Sequence, residues 1–531
     1  MAVKCPSCGG KMAFQVPTQS LKCSYCESDM QIEDYTLSNE AEVSKDTYTV
    51  TIYGCPDCGA ELSAPDDQTV AYCSYCGGES NLTMKQEEAV KPARIIPFKI
   101  SKENAVKTYE DALKTRIYVP KELKEGRHIN DFRGIYIPYL SYEVDIPENA
   151  LRLNATKKYT KGNWDYHEEY VIDTAVGGTV KGMSFDASAM FDDSIAREIS
   201  PFNTSEQRDF NEAYIAGFYS DKLTTPPETY ADTVEETAVE AFYSDIGERA
   251  GGVKVTAPRD YQEKKMLTGI SGFRYKVDLF PVWFLTWKNK NRVAYSVMNG
   301  QTGKLSMDIP VDKKAFFRVS GIMTAVLFLI LSFIPMFILP KTISLIAAVF
   351  LIISSIVLSS EIKKIYYREN HIFDVGNVHF NKDKQVRKKP VSAGRKNPMR
   401  RVSAFLFLVV LVFIFVKMDF PFYIIGNIIT SPVYAIALFI QIILLILMLG
   451  RISKIEKKTA FIPMLIGILA LGTGLIIWVF NPAYDYWYYG LAILCFLAML
   501  GNMISMINYL NYLTTRPVPD FFRREGADHG K

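Results

Sequence analysis

Long apolar runs dominate the second half of the chain, whereas polar and apolar positions alternate through much of the first half. Six of these runs are long enough and apolar enough to cross a bilayer as helices. They cover residues 319–339, 342–359, 402–416, 432–449, 460–480 and 487–507. The pattern predicts an α-helical membrane domain of about six spans over residues 312–513, rather than a set of buried helices in a soluble protein.

Charges in the loops between the runs predict how the spans are oriented. The loop 360–401 holds 12 Lys and Arg against 4 Asp and Glu, and the loop 450–459 is also basic. Because basic loops stay on the cytosolic side, we expect both termini, including the tail 514–531, in the cytosol. Residues 1–10 lack the apolar core of a signal peptide. The segment 420–430 is expected to enter the bilayer as a re-entrant segment or to lie on its surface.

Alternating and helical patterns fill the region before the first apolar run. Helices are expected over residues 101–116, with Ser101 as the N-cap, and over residues 229–246. Strand patterns cover residues 134–144, 166–176, 273–287 and 292–298. Together these elements predict an α+β cytosolic domain over residues 84–311.

Eight of the nine cysteines form one motif that occurs twice, with a displacement of 50 residues. The first copy contains Cys5, Cys8, Cys23 and Cys26, and the second contains Cys55, Cys58, Cys73 and Cys76. A Cys-Pro-x-Cys-Gly followed by a Cys-Ser-Tyr-Cys, with 14 residues between the two inner cysteines, is typical of a four-cysteine zinc ribbon, with a short hairpin between the pairs. We expect two small β zinc ribbons, over residues 1–33 and 50–83, joined by a linker over residues 34–49.

Zinc suits these positions because a tetrahedral ion takes four thiolates at about 2.3 Å. Gly9, Gly59 and Gly77 supply the backbone freedom that the tight turns need, while Glu27 stands at the fourth equivalent position. The second turn of the first ribbon is therefore expected to be less regular. Disulfides or a redox pair are the alternative, but redox doublets usually stand alone. We expect two structural Zn²⁺ ions and no catalysis at them, since four thiolates leave no open position.

The formal net charge of +3 conceals two opposite halves. Residues 1–311 carry 35 Lys and Arg against 46 Asp and Glu, whereas residues 312–531 carry 25 against 11. Residues 1–90 contain 5 lysines, no arginine and 14 acidic side chains. Phosphate binding draws on clustered Lys and Arg, so this charge argues against nucleic acid and favours a basic protein as partner.

The basic loop 360–401 allows two interpretations. Its positive charge follows from positive-inside topology alone, or the loop also contacts anionic lipid headgroups. In the second case each basic residue near the surface contributes about 1 kcal/mol to membrane binding. The candidate headgroup contacts are Lys382, Lys384, Arg387, Lys388, Lys389, Arg395 and Lys396.

Sequence motifs of common catalytic sites are absent. The chain has no GxGxxG, P-loop, GxSxG or HExxH motif, so we do not expect an enzyme. His128 and His167 stand alone and are expected to be surface or hydrogen-bonded residues. The predicted spans contain no Asp, Glu, Arg or His, which weakens a channel or transporter function without excluding it.

Several short motifs in about the first 310 residues resemble a family of bacterial membrane proteins. Besides the cysteine pairs, they are Ile-Pro-Phe at 96–98, Arg-Gly-Ile-Tyr-Ile-Pro at 133–138, Ile-Ala-Gly-Phe at 215–218, Phe-Pro-Val-Trp at 280–283 and Asn-Gly-Gln-Thr-Gly at 299–303. Members of this family have paired TFIIB-type zinc ribbons, a middle domain and C-terminal membrane spans, and they are often labelled primosomal or helicase-like. This chain lacks a nucleotide-binding loop, so the resemblance does not extend to helicase activity.

The resemblance implies a place in the bacterial cytoplasmic membrane. It also implies partners of the flotillin (SPFH) or phage-shock type, which act in envelope stress. We therefore expect a non-enzymatic multi-spanning membrane protein whose ribbons and α+β domain form a docking or adaptor module. The alternatives are a membrane-tethered nucleic-acid-binding zinc-ribbon protein and a component of a channel or transporter.

Overall fold

The computed structural model describes residues 3–38, 47–63, 73–78, 83–125, 131–258, 260–333, 339–369, 422–452 and 460–521. Their strands form one sheet of three strands and one of thirteen. Long apolar helices fill most of the C-terminal part. N-terminal cysteine sites, a sheet-rich middle region and apolar C-terminal helices are therefore confirmed.

The first cysteine motif folds around its own three-stranded antiparallel sheet. The strands β1 (Met12–Gln15), β2 (Ser20–Cys23) and β3 (Asp29–Met30) follow in sequence order, and the helix α1 (Ile32–Ser38) comes next. Residues of β1 alternate between buried and half-buried positions, as a sheet with one covered face requires. The hairpin predicted between the cysteine pairs is confirmed. We call residues 3–38 module one.

The second cysteine motif lies at the end of a hairpin that belongs to the thirteen-stranded sheet. Strand β4 (Thr47–Gly54) pairs antiparallel with β6 (Thr83–Val90) along its whole length. On its other side, β4 pairs with β5 (Glu61–Ser63). We call the described part of residues 47–90 module two. Two copies of one motif therefore have different surroundings.

The middle of the chain builds the rest of the large sheet around one long strand, β8. The strands are β7 (Arg94–Ile95), β8 (Arg133–Lys161), β9 (Trp164–Asp186), β10 (Arg208–Asp209), β11 (Tyr219–Asp221), β12 (Lys254–Thr256), β13 (Arg274–Asn289), β14 (Arg292–Asn299) and β15 (Leu305–Met307). Strand β8 pairs antiparallel with β9 and β13, and parallel with β11. Because β11 also pairs with β5, the sheet continues from the middle region into module two. The four predicted strand segments coincide with β8, β9, β13 and β14.

Helices of the middle region pack on the sheet through apolar faces. They are α2 (Lys102–Lys114), α3 (Asp193–Ile199), α4 (Ala231–Arg249) and α5 (Tyr261–Thr268). The hydroxyl of Ser101 accepts a hydrogen bond from the Asn104 backbone N–H at 3.3 Å, which caps α2 as predicted. Val234, Ala238 and Phe242 are buried at helical spacing along α4. Both predicted helices are therefore confirmed.

Beyond residue 312 the described residues form long helices. They are α6 (Lys313–Ser332), α7 (Pro340–Glu369), α8 (Phe422–Ile452), α9 (Phe461–Phe480) and α10 (Tyr486–Leu513). Among the described residues, four segments are long and apolar enough to cross a membrane. They are Pro340–Arg368, Tyr434–Arg451, Phe461–Phe480 and Tyr486–Leu513. These segments coincide with the second, fourth, fifth and sixth predicted runs.

The prediction of about six spans is not confirmed. Helix α6 covers the beginning of the first run, but residues 334–338 lie outside the described part of the chain. The third run, 402–416, lies entirely outside it. The expectation of a separate re-entrant or surface segment over residues 420–430 is not supported, because the chain from Phe422 onward is the first part of the continuous helix α8.

Small and polar side chains connect the apolar helices. A Cβ atom at Gly474 would lie 2.7 Å from Cε1 of Tyr434, so glycine is what allows α9 to approach α8 this closely. The Asn502 side-chain amide donates to Ser354 Oγ at 2.9 Å and to Ser355 Oγ at 3.0 Å. These hydrogen bonds join α10 to α7 and pair the side-chain nitrogen of Asn502 inside an apolar bundle.

The C-terminal segment returns from the helices to the large sheet. After α10, strand β16 (Arg516–Pro517) pairs with β14, and the Phe521 backbone N–H donates to the Cys58 carbonyl at 2.7 Å. The guanidinium of Arg292 on β14 donates to the Thr515 carbonyl at 2.7 Å. This segment therefore connects the helical region, the middle sheet and module two.

Candidate metal centres

Module one brings its four cysteine sulfurs into one cluster. The Sγ atoms of Cys5 and Cys26 lie 3.7 Å apart, and those of Cys8 and Cys23 lie 3.5 Å apart. All four sulfurs lie within 4.8 Å of one another. Strand β2 supplies Cys23, and the tight turn at residues 5–9 supplies the first pair.

Module two repeats this arrangement at the equivalent positions. The Sγ atoms of Cys55 and Cys76 lie 3.8 Å apart, as do those of Cys58 and Cys73. A tetrahedral ion with metal–sulfur bonds of about 2.3 Å requires sulfur–sulfur distances of about 3.8 Å. All of these cysteines are free thiols. The fold thus brings all eight predicted ligands together, and each group could hold a metal ion, consistent with two zinc sites.

Four tight turns position the ligands, and each places one residue in the left-handed region. Gly9, Gly59 and Gly77 have φ angles of 71°, 73° and 64°. Glu27, at the fourth equivalent position, has φ 57°. Its backbone N–H donates to the Cys23 carbonyl at 3.1 Å, whereas the three glycines make the same bond at 2.8 to 2.9 Å. The expectation of a less regular turn is therefore wrong, because Glu27 adopts the glycine-like conformation.

Hydrogen bonds within the clusters favour a thiolate in each. In module one, a hydrogen bond with the Ser28 hydroxyl lowers the pKa of Cys5 to about 6. In module two, hydrogen bonds with Cys58, Cys73 and Cys76 lower the pKa of Cys55. Because the thiolate is the form that binds metal, these hydrogen bonds favour metal binding at Cys5 and at Cys55.

The second turn of module two, residues 73–76, is buried against the middle sheet. The Tyr75 hydroxyl donates to Asp221 Oδ2 at 2.5 Å, and the Ser188 hydroxyl donates to the same oxygen at 2.6 Å. Burial raises the pKa of Asp221 to about 6, although both hydrogen bonds oppose this effect. The Tyr75 ring contacts Phe284 and Phe521, with centroid distances of 5.5 and 5.7 Å. This turn is therefore part of the protein core.

Backbone carbonyls of the same turn also have partners on the sheet. The Thr286 hydroxyl on β13 donates to the Ser74 carbonyl, and the Tyr295 hydroxyl on β14 donates to the Tyr75 carbonyl at 2.7 Å. Thr286 and Tyr295 lie directly opposite each other across the two strands. A single pair of neighbouring hydroxyls thus holds the Ser-Tyr dipeptide in place.

The equivalent turn of module one, residues 23–26, faces away from the protein. Tyr25 is 84% exposed, whereas Tyr75 is 1% exposed. Ser24, Cys26 and the ligand Cys8 are exposed as well, although every ligand of module two is buried. Each centre has its own set of four cysteines, but the set in module two is buried whereas part of the set in module one is exposed.

Module one is attached to the middle region through its hairpin. The Phe14 backbone N–H donates to the Ala216 carbonyl at 2.9 Å, and the Phe14 ring lies 5.6 Å from the ring of Tyr214. The Gln19 side-chain amide donates to the Phe98 carbonyl at 2.8 Å. Because these contacts lie on the hairpin, they hold the exposed turn in a fixed direction.

The sequence also singled out residues other than the cysteines. The candidate headgroup contacts at 382–396 and His128 lie outside the described residues. His167 lies in β9 and is exposed.

Sequence reasoning missed the residues around Tyr75. They are Ser188, Asp221, Thr286, Tyr295 and Phe521. Hydrogen bonds to residues 74 and 75 come from 146 to 220 positions away, so no local pattern indicates them. The repeated Ser-Tyr dipeptide at positions 24–25 and 74–75 is a sequence signal that marks this turn.

Comparisons with known proteins identify a relative but no function. No family model matches the chain, and no solved structure matches it. A curated protein described as "Uncharacterized protein YdjG", from Bacillus subtilis (strain 168), is 28% identical over 318 residues. The match covers 59% of this chain and 91% of that protein. The chain is therefore similar to a protein whose printed name gives no activity.

Proposed function

We propose that the chain is a non-enzymatic, multi-pass membrane protein that docks another protein through its cytosolic half. The observation that carries the proposal is the contrast between the two modules. Module two uses its Cys-Ser-Tyr-Cys turn to join the chain's own core, whereas module one holds the same turn exposed. A large aromatic side chain at the tip of a rigid turn is a common kind of interface anchor.

In this proposal both modules are zinc ribbons, and each Zn²⁺ has a structural role. A cytosolic location keeps the thiols reduced and able to bind zinc. We place both termini in the cytosol and the apolar helices in a bacterial cytoplasmic membrane. Partners of the SPFH or phage-shock type are consistent with the family resemblance. Nucleic acid is disfavoured by the charge of residues 1–90, with 5 lysines against 14 acidic side chains.

A photo-crosslinking experiment on the full-length chain in its native membrane tests docking. A benzoylphenylalanine at Ser7, which is exposed on the first turn of module one, should give discrete protein adducts after irradiation. The same probe at Met266 is the control, because that side chain is 80% exposed on α5, outside both modules. Equal adducts at both positions, or no protein adduct at Ser7, would contradict docking through module one.

A further inference from the structure

The contact between module two and the sheet has three parts that could recur in a binding partner. A cross-strand pair of hydroxyls, Thr286 and Tyr295, donates to two consecutive turn carbonyls. A buried carboxylate, Asp221, accepts the tyrosine hydroxyl. Aromatic rings, among them Phe284, contact the tyrosine ring. Together these groups contact the Ser-Tyr dipeptide of a Cys-Ser-Tyr-Cys turn.

Module one presents the same turn with the same internal geometry. The Cys23 backbone N–H donates to the Ser28 carbonyl at 3.0 Å, and the equivalent bond from Cys73 to Gly78 is 2.9 Å. The Cys5 backbone N–H donates to the Gly10 carbonyl at 2.7 Å, and the equivalent bond from Cys55 to Ala60 is 2.8 Å. The two turns therefore offer the same groups to a binding surface.

In the first turns of the two modules the contrast is limited to one ligand, since Cys8 is exposed and Cys58 is buried. Pro6 and Ser7 are exposed in module one, and Pro56 and Asp57 are exposed in module two. Burial in module two is thus concentrated at the second turn and its Ser-Tyr dipeptide. The equivalent dipeptide of module one, Ser24 and Tyr25, is exposed.

We propose that Ser24 and Tyr25 bind a partner protein in the way that Ser74 and Tyr75 bind this chain's own sheet. The partner presents two neighbouring strands with a cross-strand pair of hydroxyl side chains. Beside that pair it has an aromatic pocket that contains a carboxylate, which accepts the Tyr25 hydroxyl. This inference rests on the proposed docking function and names the chemistry of its partner.

A different protein is the occupant, rather than a second copy of this chain. The site of this chemistry formed by Asp221, Thr286 and Tyr295 is already filled by Tyr75 of the same molecule. Nucleic acid fits poorly as well. Residues 3–38 carry 3 lysines and 4 acidic side chains, and four thiolates on a divalent ion add a charge of −2.

Variants of Tyr25 in the Ser7 crosslinking background test this inference separately from docking. Tyr25→Ala should lower adduct yield at least about tenfold, because a central aromatic anchor is lost. Tyr25→Phe keeps the ring and should lower the yield about threefold to tenfold through loss of the hydroxyl. Lys22→Ala, an exposed neighbour outside the turn, is the matched control and should leave the yield unchanged. Metal content should stay the same in all three, since Tyr25 is exposed.

The outcomes separate the two proposals. Adducts at Ser7 that are unaffected by Tyr25→Ala would retain docking and overturn the role of Tyr25. Absence of protein adducts at Ser7 would overturn both. Adducts to a second copy of the chain or to nucleic acid, identified by mass spectrometry, would overturn the stated partner chemistry. An adduct peptide from a strand pair with Ser, Thr or Tyr side chains and a nearby Asp or Glu would support it.

Discussion

At the scale of single residues, the two modules differ in the residue type at one position of a ligand turn. Glu27 has φ 57° where the other three turns have glycine at 64° to 73°. A side chain disfavours this left-handed region by about 1–2 kcal/mol, because Cβ approaches the following carbonyl oxygen. Module one therefore carries backbone strain that module two avoids.

Replacing Glu27 by glycine should relieve this strain. We expect Glu27→Gly to stabilise the metal-bound form of module one by about 1 kcal/mol, equivalent to about fivefold tighter metal retention. Competition with a chromogenic chelator on the full-length protein measures the effect. The reciprocal variant Gly77→Glu should weaken retention by module two. Equal or weaker retention in Glu27→Gly would show that the turn is not strained.

Tyr75 and Tyr25 occupy equivalent positions in the two modules, but Tyr75 is buried and Tyr25 is exposed. Tyr75→Phe removes one of the two side-chain hydroxyls that donate to the buried Asp221, so we expect a loss of about 1–3 kcal/mol in stability. Tyr25→Phe is the matched control and should change stability by no more than about 0.5 kcal/mol. Thermal unfolding of the purified protein compares them. Similar shifts of the unfolding temperature in both variants would contradict a buried, hydrogen-bonded Tyr75 and an exposed Tyr25.

At the scale of elements, the C-terminal segment links parts of the chain that are far apart in sequence. Phe521 is 3% exposed and contacts Tyr75, and its backbone donates to the Cys58 carbonyl. Arg516 forms ion pairs with Asp192 at 2.6 Å and Asp308 at 3.5 Å. Burial acts to lower the pKa of Arg516, but the charges of both carboxylates raise it above its ordinary value.

Truncation of the Phe521 side chain should loosen module two selectively. Phe521→Ala leaves a cavity beside Tyr75, which we expect to cost about 3 kcal/mol and to speed metal release from module two. Release from module one should stay the same, because Phe521 packs in the cluster that holds the ligands of module two. Met266→Ala, at an exposed position, is the control. If metal release became equally faster from both modules, or from neither, the specific contact of Phe521 with module two would be contradicted.

Local elements were predictable from the sequence because their causes are local. Ser101 caps α2 where the pattern placed it, and alternating residues gave the strands β8, β9, β13 and β14. The ligand set followed from spacing alone. In contrast, the conformation of Glu27 was not predictable, because a residue with a side chain adopts the left-handed conformation that glycine has in the other three turns.

The burial of each cysteine turn could not be predicted from the sequence, because it depends on strand pairing between segments that are far apart in the chain. The turns at residues 23–26 and 73–76 have identical sequences, yet one is exposed and the other is buried. The cause is the three-residue strand β11, which pairs with β5 and connects module two to β8. So short a strand has no recognisable pattern, and its partners lie far away in sequence.

At the scale of the whole molecule, the described part of the helical region is attached to the sheet-rich part of the chain at both ends. The Val311 backbone, just before α6, exchanges hydrogen bonds of 2.7 and 2.8 Å with the Asn511 side chain near the end of α10. Strand β16 then pairs with β14. The beginning of α6 and the end of α10 therefore lie next to each other, which favours the same side of a membrane for both.

Both termini should accordingly be on one side of the membrane. We expect reporters fused to the N-terminus and to the C-terminus to give the same cytosolic signal. Protease protection in sealed vesicles, with a periplasmic protein as control, measures this. Termini on opposite sides would contradict the even number of spans predicted from the apolar runs and the orientation predicted from the loop charges.

The central claim is that one repeated motif forms two metal centres with different cover. Zinc content and chelator-driven release on the purified full-length protein test it most directly. We predict two zinc ions per chain and two phases of release, the faster one from module one because Cys8 and Cys26 are exposed. Cys5→Ser with Cys8→Ser should abolish the fast phase, and Cys55→Ser with Cys58→Ser the slow one. Unchanged zinc content in either double variant, or a single phase in the natural chain, would contradict it.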